Sequence, residues 1–334
     1  MKILFTDVKE SWQKDFIIKS LPNDTIIVSE DELSLDLAKS NFEIEALSVF
    51  VTSKVTAEIM EQLPNLKIIL TRSTGFDHVD TVMAKSKNIM VCSVPFYGEN
   101  TVAEHAMALI LALARKLPQT FARIEDCQFD YNGLRGWDLK GKTMGIIGGG
   151  HIGMHLAKMA KGFEMNILVY DLKPNEEFAK TIGFTYATTD ALYTNSDVIS
   201  LHLPFNAHTL HFINQPSIEK MKDGVYLINT ARGGLVDSTA LIEALQSGKI
   251  AGAGLDVLEG EDLINDEMGI ISNPKYKDQW LTLLQDHILM EMENVIVTPH
   301  NAFNSNEALQ RILQTTIDNV IAFEKNTPQN IVQV

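Results

Sequence analysis

Short apolar runs recur along the chain, each followed by a polar-punctuated stretch of helical length. In the first third they fall at residues 3–5, 26–29, 49–51, 68–70 and 89–91, and a second series follows at 144–148, 167–170, 198–203, 225–230, 251–257 and 295–298. β-Rich runs alternating with helical segments are the pattern of βα units, so each series predicts a parallel sheet with helices on both faces. Six strands in the second series match the count of a complete dinucleotide-binding sheet.

The connections set the domain plan. Residues 99–117, rich in Ala, Leu, Ile and Met with Pro118 after them, predict a long buried helix, and a domain crossing is expected at its start. The helical segment 307–325 follows the last strand of the second series and is expected to return to the first domain. The division expected is therefore 1–98 with 302–334 against 99–301. Residues 261–294 exceed a usual connection, and Trp280, Leu281, Leu283, Leu284 and Ile288 recur at helical spacing, which predicts an insertion with its own helix. The fold class expected is α/β with two doubly wound parallel-sheet domains.

Composition narrows the function classes. A chain of 334 residues with 45% hydrophobic and 21% charged positions can build two cores. The formal charge of -15 is spread over both halves, which argues against a nucleic-acid partner. The longest apolar stretch, 106–114, is far short of the roughly 20 residues of a membrane span. The first residues read as a strand rather than a signal peptide. Cys92 and Cys127 cannot make a disulfide framework; both are expected as small buried hydrophobes in a cytoplasmic protein.

Chemistry concentrates where strands end. Gly148, Gly150 and Gly153 form G-x-G-x-x-G between an apolar strand and helix-forming sequence. Such a turn lets backbone approach a pyrophosphate at a helix N-terminus, the signature of a Rossmann domain. Asp171 closes the next strand, where an acid bonds the adenosine ribose and disfavours a 2′-phosphate, so NAD is expected over NADP. Other strand ends carry His202 with Pro204, Thr230 with Arg232, Asp256 with Glu261, His300, Thr74 with Gly75, and Tyr97. An arginine, a carboxylate and a histidine together can reduce a ketone: arginine grips a carboxylate and polarises the carbonyl, histidine gives the proton, and the acid holds the imidazole. The other histidines, His78, His105, His155, His208, His211 and His287, read as surface or packing residues. His151 and His155 share a helical face with no third ligand, and no metal is expected.

Nearly the whole chain resembles the D-isomer-specific 2-hydroxyacid dehydrogenase family. The resemblance is carried by Gly148-Gly149-Gly150-His151-Ile152-Gly153, Asn229-Thr230-Ala231-Arg232-Gly233-Gly234, Leu255-Asp256-Val257 leading to Glu261, and Thr298-Pro299-His300. It implies a flavodoxin-like substrate domain into which the Rossmann domain is inserted, NAD as cofactor, and a homodimer formed through the helix at 103–117. It implies Arg232 as substrate partner, His300 as general acid and base, and Glu261 as the acid coupled to it, with Glu259 the neighbour to be told apart from it. It implies cofactor contacts from Gly148, Gly150, His151, Ile152, Gly153, Asp171, His202, Leu203, Pro204, Thr209, Thr230, Ala231, Arg232 and Asp256. The amides around Thr74 and Gly75 would complete the carboxylate site. Where the family commonly has arginine this chain has His151, which weakens one pyrophosphate contact. Arg72-Ser73-Thr74-Gly75-Phe76-Asp77, Val94-Pro95-Phe96-Tyr97 and His300-Asn301-Ala302-Phe303 look most like D-lactate dehydrogenases, in which Tyr97, Phe303 and Phe50 would border a small side chain. A glyoxylate, hydroxypyruvate or other 2-oxo acid reductase is the alternative within the enzyme class. A non-catalytic NAD-sensing regulator would not need Arg232, Glu261 and His300 together.

Overall fold

The computed structural model describes residues 1–264, 273, 276 and 279–332. The chain forms two compact units: Met1–Tyr97 with Ser305–Val334, and Gly98–Asn304. The divisions thus fall between 97 and 98 and between 304 and 305, against the expected 98/99 and 301/302.

The first unit holds strands β1 (Lys2–Phe5), β2 (Thr25–Val28), β3 (Ala46–Val49), β4 (Ile68–Thr71) and β5 (Met90–Cys92), all parallel in the order β2-β1-β3-β4-β5. Successive strand residues face opposite sides. Leu4, Leu47, Val49 and Ile69 therefore pack into one core, and Ile3, Phe5, Ile68 and Leu70 into the other. Leu313, Ile317 and Val320 of the helix Asn306–Glu324 join the second core, so the last helix does return to this unit. The run expected at 49–51 lies upstream: β3 ends at Val49, because residues 51–53 form a turn after it.

The second unit holds β6 (Thr143–Ile147), β7 (Asn166–Tyr170), β8 (Thr185–Tyr186), β9 (Val198–Leu201), β10 (Val225–Asn229), β11 (Ile250–Leu255) and β12 (Val295–Val297). They are parallel in the order β12-β11-β10-β9-β6-β7-β8. This sheet has seven strands, not the six expected. β8 is two residues, one of them Thr, and leaves no apolar run in the sequence. Ile147, Ile199, Leu201, Leu227, Ala253 and Leu255 build the core on one face. Met144, Ile146, Ile167, Val169, Val198 and Ile228 build the other, covered by Ala103, Ala106, Met107 and Ile110 of the helix Glu99–Ala114.

That helix is shorter than the 99–117 expected. Lys116 takes the left-handed conformation (φ 49), and a separate helix, Leu117–Glu125, begins with Pro118 in its first turn, where a missing N–H costs nothing. Cys92 is buried as expected, but Cys127 is exposed, because it lies just past that second helix on an outer loop. Within the insertion the helix Trp280–Glu291 forms with Leu283 and Leu289 buried, whereas Trp280, Leu281 and Leu284 face outward. Most of the insertion before it lies outside the described residues.

Both sheets have one place where neighbouring strands send their connections to opposite sides: β1 beside β3 in the first unit and β6 beside β9 in the second. In open α/β sheets ligands bind beyond the carboxyl ends at such switch points. Thr6, Asp7 and Phe50 follow the first pair, and Gly148 and His202 the second.

Candidate active site

In the second unit the chain leaves β6 at Gly148 with φ 104, and a Cβ there would meet the His202 carbonyl oxygen at 2.5 Å. A Cβ on Gly153 would meet the Gly148 carbonyl oxygen at 2.1 Å. Only glycine lets the turn close and the helix His151–Gly162 start against it. The Gly149 amide donates to Asp171 Oδ2 at 2.7 Å, and Lys173 N–H donates to Oδ1 at 2.7 Å. The acid expected at the ribose thus also fastens the glycine turn. Thr230 Oγ1 is buried and lacks a hydrogen-bond partner among the described residues. A glycine cradle at a helix N-terminus, an acid at the end of β7 and an unmatched buried hydroxyl fit a dinucleotide.

Around this cradle, His202 Nε2 meets Ser200 Oγ at 2.9 Å, and burial of the ring pushes its pKa down to about 4, so it is neutral at physiological pH. Thr209 Oγ1 donates to the Pro204 carbonyl at 2.8 Å and closes the loop after Leu203. His151 is exposed and turned toward Glu99, with Nδ1 3.3 Å from its carboxylate; Ile152 beside it is half-buried.

The chemical groups cluster at the ends of β10, β11 and β12. After β10, the Asn229 side chain accepts from Ala231 N–H at 3.1 Å and donates to the Arg232 carbonyl at 2.8 Å, which fixes the turn bearing the guanidinium. A Cβ on Gly233 would meet the Leu258 carbonyl oxygen at 1.9 Å, so that turn lies directly against the segment leading to Glu261. After β12, His300 takes a left-handed conformation (φ 49), its N–H donating to the Asp256 carbonyl at 2.8 Å. Its Nδ1 is 2.9 Å from Glu261 Oε1. A carboxylate only accepts, so Nδ1 carries the proton in this bond, and Nε2 is the nitrogen left to exchange one. Burial tends to lower the imidazole pKa, but the hydrogen bond and charge of Glu261, aided by Asp256 and opposed by Arg232, raise it above the ordinary histidine value. Glu259 is engaged elsewhere, accepting from His211 at 2.6 Å and from Ser238 Oγ at 2.9 Å.

Two roles in this arrangement were not read from the sequence. Asp256 is buried, and its carboxylate accepts from Asn301 N–H and Ala302 N–H, each at 2.8 Å, and from Thr298 Oγ1. Burial would raise its pKa; bonds from His105, Thr298 and the two amides outweigh that and hold it below the usual carboxylate range. Asp256 thus shapes the loop carrying His300 and Phe303. His105, taken as a packing residue, joins it: Thr298 spends its proton on Asp256, so His105 Nε2, 3.0 Å away, is the donor to Thr298. The signal available in sequence was only that His105 directly precedes the apolar run 106–114.

In the first unit, Thr74 Oγ1 donates to the Val94 carbonyl at 2.9 Å and Ser73 Oγ to the Gly75 carbonyl at 2.6 Å, which shapes the turn after β4. The Tyr97 carbonyl accepts from Arg311 Nε at 2.6 Å. The same unit holds a buried charge pair that sequence reasoning missed. Arg72, 3% exposed, donates to the Thr6 carbonyl and stands 3.9 Å from Asp7, with its Cζ 5.7 Å from the Phe50 ring centre. Burial lowers its pKa to about 10 against the pull of Asp7, so it remains a cation near neutrality. Asp7 also accepts from Thr52, Ser53 and the Phe50 amide. A charged pair directly after two buried strands was the available clue.

The chain is similar to known proteins over most of its length. The model of the D-isomer specific 2-hydroxyacid dehydrogenase NAD binding domain matches residues 107–302. A D-lactate dehydrogenase of Escherichia coli (strain K12) is 37% identical over 294 residues, covering 86% of each chain. A glyoxylate reductase of Thermococcus litoralis is 35% identical over 339 aligned positions, covering 96% of each. Among solved structures, D-lactate dehydrogenase from Aquifex aeolicus complexed with NAD and lactic acid superposes with a TM-score of 0.85 at 37% identity, over 97% of this chain and 96% of that one.

Proposed function

The chain belongs to the D-isomer specific 2-hydroxyacid dehydrogenases and is an NAD-dependent oxidoreductase, and on that premise we propose that it interconverts pyruvate and D-lactate. The observation that carries this reading is the 2.9 Å His300–Glu261 pair, at the rim that also bears Arg232.

Bound NADH supplies the hydride that reaches the carbonyl carbon. Arg232 grips the 2-oxo acid's carboxylate and polarises its carbonyl, a task suited to a planar fork of donors. Helping to hold the carboxylate is the role of the amides around Thr74 and Gly75. His300 gives its Nε2 proton to the carbonyl oxygen as the C–H bond forms, so pyruvate, NADH and a proton yield D-lactate and NAD⁺; in reverse, neutral His300 takes the proton back. Glu261 stabilises the imidazolium and holds the ring's tautomer. His202, neutral at working pH, serves the cofactor rather than the proton transfer. The turn residues Gly148, Gly150, His151, Ile152 and Gly153, with Asp171, Leu203, Pro204, Thr209, Thr230 and Ala231, hold the dinucleotide.

Tyr97, Phe303 and Phe50 are assigned to the border of the substrate's side chain, which favours a methyl group. We place the protein in the cytoplasm as a homodimer; Cys92 and Cys127 are both unbridged, and no helix among the described residues is long and apolar enough to cross a membrane. NADH oxidation across pyruvate, hydroxypyruvate, glyoxylate and phenylpyruvate, with chiral analysis of the lactate, tests the reading. Highest kcat/KM for pyruvate and a D product are expected. An L product overturns the assignment of face, and a clear preference for another acid replaces lactate, since methylene-sized differences are worth only about 1–3 kcal/mol.

A further inference from the structure

Asp286 sits in the middle of the helix Trp280–Glu291 and is fully buried. Aspartate is a poor interior helix former, and a buried carboxylate is costly unless something compensates it. Its Oδ2 accepts the Gly260 amide at 3.0 Å, while Oδ1 is buried with no hydrogen-bond partner among the described residues. Gly260 stands between Glu259 and Glu261, each of which holds a histidine, His211 at 2.6 Å and His300 at 2.9 Å. The approach is close: a Cβ on Gly260 would meet Asp286 Oδ2 at 2.7 Å and Thr282 Cγ2 at 2.9 Å. Packing alone would place an apolar side chain here, and a charge kept at this point needs a task.

We propose that Asp286 is a positioning residue for the reaction: by holding the Gly260 amide it fixes the Glu259-Gly260-Glu261 turn, and through Glu261 it keeps the His300 ring aligned and protonated. The inference rests on the roles given above to Glu261 and His300. Burial raises the Asp286 pKa to about 6 against the Gly260 amide, with the charges of Glu259 and Glu261 adding to the rise and His287 opposing it. Near neutrality the side chain is anionic and its bond to Gly260 is charge-assisted; below about pH 6 it becomes neutral and the bond weakens. The hold on Glu261 is therefore firmest in the range where His300 must stay protonated.

Asp286→Leu tests this, because leucine keeps about the shape of aspartate while removing the acceptor of the Gly260 amide. The basic limb of the pyruvate-reduction profile should move to lower pH by about half a unit or more, the direction in which Glu261→Gln moves it. Gly260→Ala disturbs the same contact from the other side and should move the limb likewise. Asp286→Asn, whose amide oxygen can still accept the Gly260 N–H, should bring the limb back toward the parent position. In a Glu261→Gln background, Asp286→Leu should add no further shift, because the two act through one group. An unmoved limb in Asp286→Leu and Gly260→Ala, while Glu261→Gln moves it, overturns the positioning role alone. So does a shift that persists in full in the Glu261→Gln background. An unmoved limb in Glu261→Gln overturns the reading of Glu261 itself and the inference with it.

Discussion

His300 is pulled in two directions, and the outcome sets the direction of its pH dependence. Burial favours the neutral ring, while Glu261 at 2.9 Å favours the cation and prevails, so the proton needed for reduction is retained above the ordinary histidine pKa. Reduction should therefore fall as pH rises through that raised value. Glu261→Gln removes both the charge and the carboxylate acceptor, and the basic limb should move to lower pH; a stopped-flow NADH profile across pH checks this, and a limb that stays put would return the coupling to another acid. His300→Ala should lower turnover by roughly 10²–10⁴-fold while NADH binding, read by fluorescence titration, stays within a few-fold. His300 and Glu261 were legible in sequence because each stands a few residues past the end of an apolar strand. The spacing from Arg232 and Asp256 favours Glu261 over Glu259, and their partners in space differ accordingly, His300 for Glu261 and His211 for Glu259. The roles of His105, Asp7, Arg72 and Asp286 were not legible: each depends on a partner many residues away, and nothing local marks a histidine on an apolar helix as the donor to Thr298.

At the scale of elements, the strands that carry chemistry are largely apolar runs of three to six residues and were easily read, whereas β8 has only two residues and leaves no pattern and β3 lies just before an apolar turn that resembled its continuation. The break at Lys116 was hidden because Pro118 serves equally as the end of one helix and the first turn of the next. The glycine turn after β6 shows how elements share one residue. Asp171 at the end of β7 takes the Gly149 amide at 2.7 Å, so it supports the turn in addition to the ribose contact proposed for it. Asp171→Ala should thus raise the KM for NADH by about tenfold, the cost of one charge-assisted hydrogen bond, and narrow the preference over NADPH. Steady-state kinetics with both cofactors checks it. Equal use of NADH and NADPH by the unmodified enzyme would sink the assignment of Asp171 to the ribose.

At the scale of the whole molecule, the remaining matter is which surface a second copy would cover. The helix Glu99–Ala114 spends most of its apolar face inside its own unit, with Ala103, Ala106, Met107, Leu109, Ile110 and Leu113 buried there. What it leaves outward is narrow: Ala108 is exposed and Leu111 and Ala112 are half-buried. The segment that follows is different. Leu117, Phe121 and Ile124 are exposed on one short helix, and Phe129 and Tyr131 beyond it are 97% and 86% exposed. An isolated exposed apolar side chain is ordinary, whereas five large ones within one short segment suit the interface of the proposed homodimer. A homodimer built through this segment accounts for them with the chain's own chemistry. Phe121→Asp combined with Phe129→Asp places two charges where apolar contact is expected, and each would be buried unpaired in the dimer. The unmodified chain should sediment at twice the chain mass at micromolar concentration, and the double variant as a monomer with near-native far-ultraviolet circular dichroism. A parent that sediments as a monomer, or a double variant that keeps the dimer, would remove this segment from the interface and leave its aromatics to another partner.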